Sequence, residues 1–303
     1  MCCLFGMIDY KHTLTVGEKN HIITVLAKEC EIRGTDASGI AYNHDGGLAI
    51  YKRPLPAHKM MWKLKSDTSV VMGHTRMTTQ GSEKFNRNNH PFRGSVTEQQ
   101  FALAHNGMLY NDKSLRIEHD LPKTDIETDS YIAVQLIEKS GNVDFPALAD
   151  MAEHLEGSFT ITVLDTHDNL YFIKGSNPMC IYHWKERGLY LYASTEEILK
   201  AALKKITLRL GWYKKISIES GEILRIDSHG ELQSCHFHMQ PMFVPYSLTA
   251  WYSEITSESA YISDLKSLSG SFGYTAEEID DLLEAGITPE EIEDWFYYCG
   301  EEV

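Results

Sequence analysis

Cys2 stands directly behind the initiator methionine, and that position offers a cysteine unusual chemistry. Cells remove Met1 when the second residue is small, which leaves a thiol and a free α-amino group on one residue. An α-amino group titrates near about 7.7–8.0, far closer to neutrality than a lysine, so it can act as base for its own side chain. The resulting thiolate is the stronger nucleophile. Position alone carries little weight, because most cysteines are structural. The other five, at positions 3, 30, 180, 235 and 299, form no C-x-x-C pair and no disulfide framework. Cys235, His236 and His238 are ligand-type side chains, but a zinc site needs four well-spaced donors, so they read as structural.

Five further segments follow in order: RGTDASGIA from Arg33, GHTRMTTQG from Gly73, NNHPF from Asn88, HNG from His105 and TDS from Thr128. Together with the opening M-C-x-L-F-G, they resemble the class II glutamine amidotransferase domain, the N-terminal-nucleophile glutaminase of glutamine–fructose-6-phosphate amidotransferase and amidophosphoribosyltransferase. Each segment alone is weak; six in the right order are specific. The resemblance covers roughly residues 2–227.

The resemblance implies a role for each segment. Cys2 is the nucleophile, and Asn106 and Gly107 form the oxyanion hole through the Asn side-chain amide and the Gly backbone N–H. Such donors act on charge that develops only in the tetrahedral intermediate. Arg76 grips the substrate α-carboxylate, where a planar guanidinium suits a planar anion, and Asp129 meets the α-ammonium. Thr79 and Gly81 lie in the loop that covers bound glutamine. Arg33, Gly34, Asp36 and His90 support the site. Plainer readings exist beside these: a surface ion pair for Arg76, a helix N-terminal acid for Asp129, and a strand-end turn for Asn106-Gly107. For His90 the structural reading is the stronger one.

Two departures from the family pattern stand out. The residue after the nucleophile is Cys3 where the family has glycine, and a side chain there would crowd the site or offer a competing thiol. The family's Trp-Ala-Thr-His after the arginine is Met77-Thr78-Thr79-Gln80 here, which bears on loop closure and on coupling to an acceptor.

The elements that must position these residues alternate in period. Residues 18–32 carry apolar side chains at helical spacing. SGIAYNHDGGLAIYKR reads as a hairpin around Asp45-Gly46-Gly47, and SVVMGHT and QFALAHN read as buried strands. Helices are expected at about 129–139 and 145–155. Strands GSFTITVLD, NLYFIKG, MCIYHW and GLYLYAS follow, then the helix TEEILKAAL, then a final hairpin of KKISIES with GEILRID. Interleaved strand runs and helices indicate an α+β domain on antiparallel sheets. The resemblance refines this to a four-layer αββα N-terminal-nucleophile hydrolase sandwich with a small C-terminal helical appendage. The expected division is a glutaminase domain at 2–235, a connector at 236–272, and an acidic helical hairpin at 273–303. That hairpin opens twice with a capping box, Thr275 to Glu278 and Thr288 to Glu291. Leu282, Leu283, Trp295 and Phe296 are its apolar face.

The formal net charge of −15 argues against nucleic acid as a partner. No apolar run is long enough to cross a bilayer, and the start lacks a signal-peptide pattern, so a cytoplasmic protein is expected. The expected function is a stand-alone glutaminase that calls on no cofactor and no metal. It would supply ammonia to a separate acceptor subunit, with the acidic tail as a solvated appendage or as a dock for a basic partner. Two rivals are an amidase for another γ-glutamyl or small amide, and a catalytically silent module that binds glutamine as a sensor.

Overall fold

Strand β1 (Cys3–Asp9) is buried along its whole length. A strand covered on both faces shows no polar–apolar alternation, which is why sequence periodicity is silent here. In the computed structural model β1 lies inside a seven-stranded antiparallel sheet, between β4 (Val70–Arg76) and β10 (Leu189–Ala193). Beyond β4 come β2 (Ala37–His44) and β3 (Gly47–Arg53); beyond β10 come β9 (Cys180–Trp184) and β11 (Lys214–Ile216). The second sheet has six strands. Their order is β13 (Leu232–His236), β12 (Glu222–Ile226), β8 (Leu170–Lys174), β7 (Gly157–Asp165), β6 (Gln100–Leu109) and β5 (Phe92–Ser95). The structure describes residues 2–240, 262, 266, 269, 274–285, 287, 288 and 292.

The expected β2–β3 hairpin forms, with Asp45 and Gly46 both at positive φ (49° and 73°). That backbone twist matches the twist of the flanking strands.

Three apolar layers hold the first unit together. Leu4, Ile8, Val70 and Met72 of one sheet meet Ala102, Ala104, Leu164 and Phe172 of the other. On the outer face of the seven-stranded sheet, Cys3, Phe5 and Met7 pack against α1 (Val16–Glu29) and α5 (Glu196–Lys205). On the outer face of the six-stranded sheet, Leu103, Ile161 and Val163 pack against α3 (Tyr131–Ser140) and α4 (Phe145–His154). A short helix, α2 (Asp112–Glu118), contributes Leu115 to the same layer. The result is the expected αββα sandwich.

Two local readings needed correction. The expected helix at 18–32 begins at Val16, because Thr15 and Glu18 close a capping box, and it gives way to a 3-10 turn at Cys30–Arg33. The expected final hairpin does not form. β11 pairs with β9 in the seven-stranded sheet, whereas β12 pairs with β8 and β13 in the six-stranded one. The chain changes sheets between the two strands, a tertiary choice that the local pattern of two short strands and a turn does not contain. β1, β5, β13 and α2 had no sequence expectation.

The chain divides into two compact units, Met1–Met242 and Phe243–Val303. In the second, α6 (Ala276–Glu284) starts with the expected Thr275–Glu278 capping box. Its Leu282 and Leu283 are partly buried against Ile279 and Ile292. Glu291 of the other expected capping box, Trp295 and Phe296 lie outside the described residues, as does most of the expected connector.

A buried ion pair closes the far end of β1. Asp9 and Lys19 approach to 3.3 Å, and each is almost wholly buried. Lys19 also donates to the Thr68 carbonyl, and Asp9 accepts from the Thr13 and Leu14 N–H groups. Removing one partner leaves a buried charge uncompensated. Lys19→Met is therefore expected to lower unfolding free energy by about 3–5 kcal/mol in urea titration; a loss below about 1 kcal/mol would contradict the assignment.

Candidate active site

The register of β1 against β4 sets Cys3 opposite Thr75 and Leu4 opposite His74. Side chains alternate across a strand. Leu4 enters the layer between the sheets, while Cys3 enters the helix-covered layer, its Sγ 2.8 Å from that of Cys30. Continuing the alternation brings Cys2 and Arg76 to the Leu4 face. The anticipated crowding by Cys3 does not arise, because its side chain is fully buried on the opposite face. Burial also pushes the neighbouring Cys30 thiol well up.

Cys2 is half-buried, its Sγ 3.5 Å from the Met77 carbonyl oxygen, and its own carbonyl accepts a 2.9 Å hydrogen bond from Arg33 Nε. Burial raises the thiol pKa; the bond to Met77 and the charge of Arg76 pull it back in part. A thiol held up in this way needs a base. A cavity of about 340 Å³ is lined by residues 31–36 together with Met77 and Thr78.

Arg33, Gly34 and Asp36 shape this wall. Gly34 lies so close to β4 that a Cβ would meet the Arg76 carbonyl carbon at 2.4 Å, so no side chain fits. The Asp36 N–H donates to the Arg76 carbonyl, and the Asp36 carboxylate accepts from the Thr78 N–H at 2.7 Å. The segment thus clamps the chain as it leaves Arg76.

Arg76 is 2% exposed. It donates to Asn89 Oδ1 at 2.7 Å and to the Gln80 and Gly81 carbonyls at 2.6 and 2.9 Å. A guanidinium has five N–H donors, so these three bonds fix its plane with two still available. Asn89 is itself braced: its carbonyl and that of Pro91 accept from Lys52, whose ammonium is pushed down to about 8 by burial and by the nearby Arg76 and Arg93. Gly81 adopts φ +73°. Gln80 donates to the Glu127 carbonyl, and Glu127 accepts from the Ser82 N–H and from Asn88. The 77–90 loop is in this way stapled to the segment that carries Asp129. Thr79 is exposed on that loop.

From the other sheet, β6 delivers Asn106 and Gly107. Asn106 is 1% exposed and extends the inward row of Ala102 and Ala104. Gly107 has φ +149°, and a Cβ there would lie 1.9 Å from the Ser158 carbonyl oxygen, so only glycine fits. Asp129 is buried and accepts from the Leu109 N–H at 2.7 Å and from the Ser130 hydroxyl at 3.2 Å. Ser130 Oγ also lies 2.7 Å from His105 Nδ1. It therefore sits against the strand bearing Asn106.

His90 is buried between His74 and Phe92, with ring centroids 4.3 and 4.4 Å away, and neither ring nitrogen has a partner. It fills the space between these two rings. Cys235, His236 and His238 do not converge. Among the described residues three ligand-type atoms meet within 4.8 Å only at His44, Asp45 and Asp67. Sequence reasoning missed Asn89 and Lys52. Both sat unweighed, Asn89 inside NNHPF and Lys52 inside the hairpin SGIAYNHDGGLAIYKR.

Burial drives the pKa of His74 down to about 3 and that of His90 well below its usual value. Both are neutral in the folded chain near neutrality, but gain protons in the unfolded chain below about pH 6.5. The unfolded state then binds more protons, so stability falls on acidification by about 1.4 kcal/mol per pH unit for each such group. His90→Leu is expected to lose stability between pH 6.5 and 5 less steeply than the parent, by roughly that slope, in urea titrations at each pH. Equal slopes would contradict a buried neutral His90.

A family model described as a glutamine amidotransferase domain matches residues 56–211, just over half of the chain. Among curated relatives, the isomerizing glutamine–fructose-6-phosphate aminotransferases of Staphylococcus epidermidis and Staphylococcus aureus are each 30% identical over 190 residues, 60% of this chain. The chain spans only 30% of their length. Two solved structures share the fold, each 20% identical and each covering 79% of this chain and 50% of their own. They are the glutamine phosphoribosylpyrophosphate amidotransferase of B. subtilis with ADP and GMP (TM-score 0.60) and an allosteric regulatory enzyme of purine biosynthesis (TM-score 0.62). No helix among the described residues is long and apolar enough to cross a membrane. The chain belongs to the class II glutamine amidotransferases, the branch with the N-terminal-nucleophile hydrolase fold.

Proposed function

We propose that this chain hydrolyses the side-chain amide of glutamine to glutamate and ammonia through a thioester on Cys2. The observation that supports the reading is the β1–β4 register, with Cys3 opposite Thr75 and Leu4 opposite His74: continued by one residue, its alternation puts Cys2 and Arg76 on one face, while Asn106 and Gly107 lie on β6 of the opposite sheet.

With Met1 removed, the Cys2 α-amino group takes the thiol proton and the sulfur attacks the amide carbon. The carbonyl electrons move to oxygen, and that oxyanion is met by the Asn106 side-chain amide and the Gly107 N–H. The intermediate collapses, the C–N bond breaks, and the nitrogen leaves as ammonia with the proton that the α-amino group returns. Water then attacks the thioester, which releases glutamate and regenerates the thiol. Arg76 holds the α-carboxylate, Asp129 meets the α-ammonium, and Thr79 and Gly81 belong to the loop that covers the substrate. Recognition of both charged ends favours free glutamine over a capped amide. Cys3 faces away from this chemistry.

Cys2→Ala is expected to abolish ammonia release while calorimetry still detects glutamine binding. Arg76→Ala is expected to raise KM roughly 10- to 100-fold, as for loss of a charge-assisted hydrogen bond. Ammonia release by Cys2→Ala near the parental rate would sink the mechanism.

The ammonia passes to an acceptor enzyme on a separate subunit, and the acidic segment 273–303 is its dock. Copurification with and without residues 273–303 checks this: loss of a basic partner is expected, and an unchanged partner list would overturn it.

A further inference from the structure

One hydroxyl connects the strand that follows the nucleophile to the side chain that meets the oxyanion. Ser194 lies between β10 and α5, is fully buried, and is fixed from both sides of its backbone. Its N–H donates to the Leu4 carbonyl at 2.9 Å, and its Oγ accepts from the Leu4 N–H at 2.8 Å, two residues beyond Cys2. The next residue, Thr195, caps α5 through its own side chain. Ser194 therefore has little freedom to move.

Across the layer between the sheets, the amide of Asn106 meets this hydroxyl at 3.4 Å through Nδ2, a long contact, while Asn106 Oδ1 is buried without any partner. In that orientation Ser194 Oγ accepts twice, its own proton has no acceptor at Asn106, and a buried carbonyl oxygen has no donor. An orphaned buried acceptor costs about 1–3 kcal/mol. Rotating the amide by half a turn, which its nearly symmetric shape allows, gives Oδ1 a donor in the Ser194 hydroxyl and leaves the Nδ2 hydrogens to be met by the oxyanion. Ser194 then accepts from Leu4 and donates to Asn106 Oδ1, and Nδ2 moves to the side away from Ser194 with both of its hydrogens available. The Asn106 main chain does not need to follow, since its carbonyl is held by Asn177 Nδ2 at 2.8 Å.

We propose that Ser194 is a positioning residue: its hydroxyl, oriented by the Leu4 N–H, donates to Asn106 Oδ1 and so keeps the Asn106 NH2 turned toward the oxyanion. The inference rests on the reading of Asn106 as an oxyanion donor. An alanine at position 194 would let the amide turn its oxygen toward the developing negative charge, which is repulsive. Ground-state glutamine, held by its charged end groups, would be little affected.

The test is a double-mutant cycle read as kcat and KM for glutamine. Asn106→Ala should lower kcat by about 10²–10³ and Ser194→Ala by roughly tenfold or more, each with KM nearly unchanged. The double variant should be no slower than Asn106→Ala alone, whereas a role of Ser194 through Leu4 and the β1 register would add a loss of its own. Losses that multiply, or a kcat unchanged in Ser194→Ala, would overturn the proposal. If Asn106→Ala keeps parental kcat, or the parent itself releases no ammonia, the oxyanion reading falls first and this proposal with it. Should Ser194→Ala not fold, Ser194→Thr and Ser194→Cys carry the comparison. The hydroxyl of threonine should retain kcat, whereas the weak donor of cysteine should lower it at unchanged KM. Equal kcat in the two would overturn the proposal.

Discussion

Pairing β1 between β4 and β10 in one register is the constraint on which the rest depends. A slip of one residue would turn every side chain of β1 to the other face. Cys3 would then enter the layer between the sheets, and Leu4 would enter the layer beneath α1. The register is held because the two faces want different contents: Cys3, Phe5 and Met7 fill the helix side, and Leu4 and Ile8 fill the space between the sheets. The Asp9–Lys19 pair fixes the far end, and the Leu4–Ser194 bonds fix the near end. Packing that would serve stability in any sandwich here also determines where the Cys2 thiol emerges.

Around that point the protein invests in rigidity more than in charge. Arg76 is tied to its own loop, Asn89 is braced by Lys52, and the 77–90 loop is stapled through Glu127 to the segment of Asp129. Below them His74 and His90 are kept neutral by burial. Neutral imidazoles add no charge of their own beside the Arg76 guanidinium. In the Met77–Gln80 stretch Met77 and Thr79 are exposed, and Gln80 donates to the Glu127 carbonyl.

Much of this was legible in the sequence, for reasons that differ by residue. Cys2, Arg76, Asn106-Gly107 and Asp129 stand in short segments whose order is specific, and Gly34 and Gly107 are glycines that the close approach of other backbone requires. Cys3 misled because adjacency in sequence was taken for adjacency in space, although strand alternation sends neighbours to opposite faces. The final hairpin misled because two strands separated by a turn signal were assigned to one sheet, while pairing partners are chosen by the whole fold. Ser194 and Lys52 were silent. A serine before a Thr-capped helix reads as part of the cap, and a lysine on a hairpin reads as solvent-facing. Only the tertiary structure shows one buried against Leu4 and the other against Asn89.

The most direct test of the central claim is intact mass of the protein purified from its own host, read before and after a rapid acid quench with glutamine. The account predicts a chain without Met1 that gains a glutamyl group on Cys2 and releases ammonia at the same time. A chain that keeps Met1 and still turns over glutamine, or one that carries the group on another residue, would contradict it.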